Sequence, residues 1–418
     1  MKKILLIIGI LAILGTAVFF ILNSTPTSEE GESRIGFSIR NYIPFGKGEE
    51  PDLDDDDTTP ISDDANQISD TPYLDDQKIP RLRKISNEPV AGAVIFNTGT
   101  SSVVRFIEKG TGNIYEAKSD TTTITRLTNT TIPKVIRAFW LPNGSGLLAQ
   151  TIPSEYEIVE TSFIKLTKNT ATSSSEENLT PFRVVTSKLP TDIKEISVKP
   201  DSSKIFYYVI NKSHSDWYIS NPDGTGSNLV ASNALTEWLP KWLSGNKISM
   251  QTKSSSGSLG YSYVFDVSDG SLKKAGSGFW GISANLKNDG SKSLVSSGRS
   301  FPELYIQDND DNSLEKMWVK TLAEKCLWGN KNNLIYCAIP EQIPNGNYPD
   351  VWYKGLVSTE DFIGKFDIDN DIYYNLANLT SLSGEKIDVI DISMSPDQTH
   401  IIFKNKIDGF LWMLRIEE

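Results

Sequence analysis

The sequence is poor in the side chains that most often carry chemistry. Its 418 residues include two cysteines, Cys326 and Cys337, and two histidines, His214 and His400. A structural zinc site needs clustered thiols and imidazoles, and these histidines lie far from the cysteines in sequence, so no metal site is expected. No Gly-x-Ser-x-Gly elbow occurs, which removes the α/β-hydrolase arrangement of nucleophile and base. No basic stripe marks a nucleic-acid surface. There is no cysteine near residue 20 to carry a lipoprotein anchor. No cofactor motif stands out.

Long apolar runs are also scarce, with one exception. Met1-Lys2-Lys3 precedes Ile4 to Leu22, nineteen residues without a charge. At ~1.5 Å rise per residue this helix just spans a ~30 Å hydrocarbon core. The two lysines should stay cytoplasmic and send the bulk of the chain across the membrane. A cleaved signal peptide is the rival, but Val18 to Leu22 prolongs the apolar run beyond the small residues Gly15-Thr16-Ala17. The expectation is a single-pass signal anchor over residues 1–22.

The negative charge is local. Formal net charge is −12, yet Glu49 to Asp76 holds twelve carboxylates and no Lys or Arg. Residues 77 to 418 carry 36 basic and 38 acidic side chains, close to neutral. Residues 23–78 therefore read as a self-repelling disordered linker, with an end-to-end distance of roughly 40 Å or more. Gly36 to Phe45 interrupts it with apolar residues.

Turns and short strands are plentiful from residue 79 onward. Gly and Pro number 49, and aromatic residues make up 10%. Ile196 to Val230 contains four short β-branched and aromatic runs, separated by Lys199-Pro200-Asp201-Ser202, a short polar turn, and Asn221-Pro222-Asp223-Gly224. Proline presets φ for a tight turn and offers no N–H to a ladder, so strands stop there. Four antiparallel strands in about forty residues make one propeller blade.

The first turn recurs within Val94 to Gly99, Phe139 to Gly144, Lys241 to Asn246, Ile282 to Gly290, Cys326 to Asn330 and Ile392 to Gln398. That makes seven copies. The last repeat, from Ile387, has three strands, and Arg81 to Ser86 is an orphan strand at the other end. Pairing the two closes the ring and removes its open edges. The expectation is an all-β, seven-bladed β-propeller over residues 79–418, with six or eight blades as alternatives.

The Pro-Asp and Asn-x-Asp-Gly-Thr-Gly turns resemble those of the TolB-like, WD-like β-propeller family. The resemblance, over residues 81 to 416, implies protein–protein contact within an envelope assembly; the anchor read from Ile4 to Leu22 departs from it and makes this a membrane-anchored bacterial surface protein. It names no partner and no activity.

Blade six carries the longest insertion, Pro340 to Asp361. It should lie on the face of the blade connections, near the mouth of the channel. Tyr348, Asp350, Trp352 and Tyr353 are its candidate partner-binding residues, since aromatic residues anchor interfaces; packing down as a lid is the other reading. Lys168 to Asn178 is a second, polar insertion expected on the opposite face. Cys326 and Cys337 form either a disulfide or a pair of small buried side chains. Asp308 to Asn312 and Asp367 to Asp371 are carboxylate-rich but read as turns. Trp140, Trp242, Trp280 and Trp328 read as packing between blades. The expected function is a non-catalytic, extracytoplasmic scaffold that binds a protein partner. The alternative is a carbohydrate- or peptide-processing enzyme working at the propeller mouth, and carboxylates gathered on the connection face would favour it.

Overall fold

The computed structural model describes residues 79–152, 158–169, 180–329 and 333–416. The membrane-segment and linker expectations for residues 1–78 lie outside them, as does most of the Lys168 to Asn178 insertion. Among the described residues no helix is long and apolar enough to cross a membrane.

Seven four-stranded antiparallel sheets make up the fold. In six of them the strands run in chain order. The seventh takes its outermost strand from the beginning of the domain: Leu82–Lys84 pairs antiparallel with Leu411–Arg415, with Leu82 opposite Leu414 and Lys84 opposite Trp412. The ring is thus closed by hydrogen bonds, and seven is the blade number. Numbering runs from blade 1, beginning at Val90, to blade 7, which ends at Arg415 and includes Leu82–Lys84.

The first strand of each blade is its innermost one, and those of blades 6, 7, 1, 2, 3 and 4 lie beside one another in succession. These innermost strands are Val90–Thr98, Val135–Trp140, Glu195–Val198, Trp238–Trp242, Ser283–Leu286, Cys326–Trp328 and Val389–Met394. Blades 1 and 2 approach closely there. A Cβ on Gly92 would sit 2.1 Å from the Ala138 carbonyl oxygen, so only glycine fits.

The turn recognised in sequence has one geometry in four blades. The amide of Gly144, Ser202, Gly290 or Gln398 donates to the carbonyl three residues earlier. Each of these residues has a positive φ, between 62° and 78°. The Asn or Asp before it accepts from the amide two residues on, as Asp201 does from Ser203 at 2.9 Å. That side-chain bond is why Asp and Asn recur at this position.

Blades pack face to face through apolar side chains. Between blades 3 and 4, Trp217 meets Trp238 and Phe265 edge-on at 5.4 and 5.2 Å. Each fully buried ring contributes a few kcal/mol. Trp140 and Trp242 are buried in the same way, and Trp140 donates to the Gly92 carbonyl. Trp280 departs from the expected packing role. It is 40% exposed, with Arg299 stacked 3.9 Å from its ring.

Candidate functional site

The insertion in blade 6 covers part of the connection face. It contains one short helix, Asp350–Tyr353. Tyr348 and Trp352 are buried against Leu322, Ile343 and Val357. They are not surface anchors, which corrects their assignment as partner-binding residues: apolar burial onto the blade outweighs exposure. Asp350 reaches blade 4, where it accepts from the Ser256 amide and from Ser255 Oγ. Burial works against its ionisation, but these hydrogen bonds prevail and hold its carboxyl below the usual range.

A buried ionic lock fixes the insertion. Lys325 Nζ donates to Asp361 at 2.7 Å, to Asp388 at 2.6 Å and to Thr359 at 2.9 Å. Trp352 Nε1 donates to Asp388 at 2.9 Å. The Lys325 and Lys406 ammonium groups lie 5.0 and 5.2 Å from the Trp352 ring. Burial opposes the Lys325 charge, yet the two carboxylates overcome it and raise its pKa. For Asp361, burial outweighs the pull of Lys325 and raises the carboxyl.

Of the insertion's three aromatic candidates, Tyr353 is the exposed one, at 42%. Its hydroxyl donates to Glu324 at 2.5 Å. Glu324 sits in a single 3-10 turn, Ala323–Lys325, on the connection from blade 5 to blade 6. Water reaches it, but protein surrounds it on the channel side. Loss of bulk solvation pushes its carboxyl up to about 7, against the hydrogen bond from Tyr353 and the charge of Lys325, and the Asp391 charge adds to the push. Burial and the Glu324 charge raise the Tyr353 phenol well above its ordinary value, so it stays protonated.

Asp391 comes from the innermost strand of blade 7. Pairing is irregular between Ile390 and Ser393, and Asp391 adopts φ +50°. Such a bulge turns a side chain out of the ladder. The Asp391 carboxylate is exposed and ion-paired with Lys404 at 2.6 Å. With Arg137 and Gly92 it lines a cavity of about 300 Å³ among the innermost strands of blades 7, 1 and 2. Arg137 is bound by both Glu195 oxygens. Lys241, on blade 4, donates to Asn285 of blade 5 at 2.7 Å, and Asn285 donates to the Cys326 carbonyl at 2.6 Å. Lys241 is exposed to water, but partial desolvation by the protein around it lowers its pKa to about 8.

Glu324, Asp391, Lys241 and Arg137 therefore gather around one axis from residues far apart in sequence, and sequence reasoning missed all four. The one local signal was Glu324-Lys325, a charged pair inside the otherwise apolar Leu322 to Leu327.

Other sequence candidates are placed as follows. Cys326 and Cys337 face each other across the first two strands of blade 6 and are bonded, with Cα atoms 4.0 Å apart. His214 lies 3.2 Å from Asp216 at the start of a strand in blade 3. Asp308 to Asn312 and Asp367 to Asp371 form turns between third and fourth strands, where Asp308 and Asp311 accept backbone amides. Among the described residues no group of three or more His, Cys, Asp or Glu is arranged to hold a metal ion.

No protein-family model matches the chain, and no curated protein matches it in sequence. Solved structures do match in fold. An oligogalacturonate lyase in complex with manganese aligns with TM-score 0.53 and 13% identity, over 83% of this chain and 96% of that one. An oligogalacturonate lyase from Vibrio parahaemolyticus aligns with TM-score 0.53 and 10% identity over the same shares. TolB from Acinetobacter baumannii aligns at 0.41 with 11% identity, over 63% and 59%. The expectation that this propeller is not an enzyme is corrected here: its fold matches, over 83% of the chain, structures that are lyases, so a propeller of this build does not exclude catalysis. At 10–13% identity what this chain shares with them is the β-propeller fold.

Proposed function

We propose that the chain is a carbohydrate-processing enzyme that cleaves glycosidic bonds at the mouth of its channel. One observation carries this reading: Glu324, a carboxyl with its pKa pushed up to about 7, shares the channel wall with a second carboxylate, Asp391. A carboxyl raised towards neutrality can serve as the acid, and a carboxylate beside it as the base. Glu324 gives its proton to the leaving oxygen as the C–O bond breaks. Asp391, held by Lys404, takes the proton from an attacking water, or from the sugar carbon if the bond breaks by elimination. Tyr353 orients Glu324 through its hydrogen bond. The lyases of similar fold support a carbohydrate as the substrate class. So do the neighbouring carboxyls of Glu324 and Asp391, whereas Asp361 and Asp388 are buried in the lock with Lys325.

The test is turnover of an oligosaccharide panel, with reducing ends and unsaturated products read in parallel. Glu324→Gln and Asp391→Asn should each lower kcat by about 10²-fold or more. Undiminished turnover in Glu324→Gln sinks the reading. An unsaturated product marks elimination; its absence marks hydrolysis.

We also propose that Ile4 to Leu22 anchors the chain with the propeller on the extracytoplasmic side. The uncharged run and the Cys326–Cys337 bond, which suits an oxidising compartment, support this. Protease access to the propeller in intact cells tests the orientation.

A further inference from the structure

Blades 5 and 6 part at their outer edges. Between them a cleft of about 640 Å³ follows the flank of the propeller, within the range of small-ligand sites. Met317 and Phe366 form part of its apolar floor. Trp318 stands in it, 65% exposed. Tyr373 packs at right angles to the indole at 4.8 Å, and Phe366 lies tilted at 5.8 Å. These two rings brace Trp318 from the blade 6 side and leave most of its surface in water.

An indole held in place and turned to solvent inside a concavity is a binding feature. Six of the other eight tryptophans, Trp140, Trp217, Trp238, Trp242, Trp352 and Trp412, are each at most 6% exposed, and the exposed Trp280 is stacked by Arg299. The rim supplies polar groups. Glu303 is occupied by Lys316 at 2.7 Å and by Tyr305. Glu315 and Asp371 line the same cleft, with Lys320 beside them. Four carboxylates against two lysines disfavour an anionic ligand. A concave cleft of this volume is small for a folded protein partner. A sugar ring fits both halves: its C–H face covers an indole, and its hydroxyls donate to carboxylates.

We propose that this cleft is a binding site for a neutral oligosaccharide, with one sugar ring stacked on Trp318 and hydroxyls donated to Glu315 and Asp371. The inference rests on the carbohydrate reading above for the class of ligand. The connection that carries Trp318 continues directly into Glu324, so the cleft and the mouth share one segment of chain. The cleft would hold a long substrate away from the point of cleavage.

Calorimetry and tryptophan fluorescence with neutral gluco-, xylo- and manno-oligosaccharides test this on the full chain. Trp318→Ala should weaken binding at least tenfold, and the milder Asp371→Asn several-fold, with thermal unfolding confirming that both fold. Glu324→Gln should bind as the wild type does while losing turnover. Wild-type affinity in both cleft variants overturns the cleft and leaves the mouth reading intact. Trp318-dependent binding with undiminished turnover in Glu324→Gln sinks the mouth reading alone. Absence of neutral-sugar binding by the wild type, or preference for an oligolysine peptide, also overturns the cleft inference.

Discussion

Replacing Lys325 by methionine tests the lock that holds the insertion. Lys325 is 2% exposed, and the carboxylates of Asp361 and Asp388 are fully buried. The variant keeps the aliphatic volume and removes the ammonium. Asp361 then has no cation in contact, and Asp388 retains only Lys406 at 3.7 Å. Leaving buried carboxylates without their partner costs about 3–5 kcal/mol. Unfolding entropy near 2.1 cal/mol/K per residue, summed over a propeller of this size, converts that to a Tm lower by roughly 4–7 °C. The loss should depend on pH. Asp361 already has a raised folded pKa, so the native state binds more protons than the unfolded state between the ordinary carboxylate value and the folded one. Its contribution to stability therefore falls as pH rises through that window, and removing Lys325 deepens and widens the fall. Thermal unfolding at about pH 5 and pH 8 should show the larger deficit at the higher pH. A deficit under about 1 kcal/mol, or one equal at both values, refutes the account of the lock.

Tyr353→Phe removes a hydrogen bond that favours the charged form of Glu324, so the Glu324 pKa should rise above about 7. If protonated Glu324 is the acid, the alkaline limb of the rate profile moves to higher pH; an unchanged limb removes Tyr353 from that role. Replacing Cys326 and Cys337 by alanine opens a cross-link of sequence separation 11. The entropy of that short loop corresponds to about 3 kcal/mol, measurable by denaturant unfolding with and without reductant. Gly92→Ala places a Cβ 2.1 Å from the Ala138 carbonyl oxygen. It should cost about 1–3 kcal/mol by separating blades 1 and 2, and a wild-type melting curve would contradict the packing there.

The fold was legible because a propeller is a local repeat. Each blade needs a tight turn between its first two strands. In four blades that turn puts an Asn or Asp where its side chain caps the second strand, and a residue of positive φ after it. Ser202 and Gln398 take that conformation without glycine, and the neighbouring Asp201 and Asp397 still marked the turn. Ring closure could be read from two leftovers, because an unpaired edge at either end demands a partner. Hydrophobic runs, turn residues and strand counts all lie within a few residues of one another, so the chain alone pointed to seven blades in chain order, and the pairing of Leu82–Lys84 with Leu411–Arg415 settled the number against six or eight.

The site is the opposite case. Arg137, Lys241, Glu324, Tyr353 and Asp391 belong to five separate segments and meet only because a closed ring brings its first strands to one axis. Nothing beside Asp391 in sequence announces the bulge and the φ of +50° that aim it into the channel. The aromatic residues of the insertion showed that something would be covered, not which ring would remain open. Tyr348 and Trp352 went into the core because the lock of Lys325, Asp361 and Asp388 gave the insertion a fixed seat. Of these three aromatic residues, Tyr353 stayed exposed. Local sequence sets a turn through a hydrogen bond two residues away. A pKa is set by whatever surrounds the group in three dimensions, and only the tertiary structure decided that Glu324 would meet the charge of Asp391 and the hydroxyl of Tyr353.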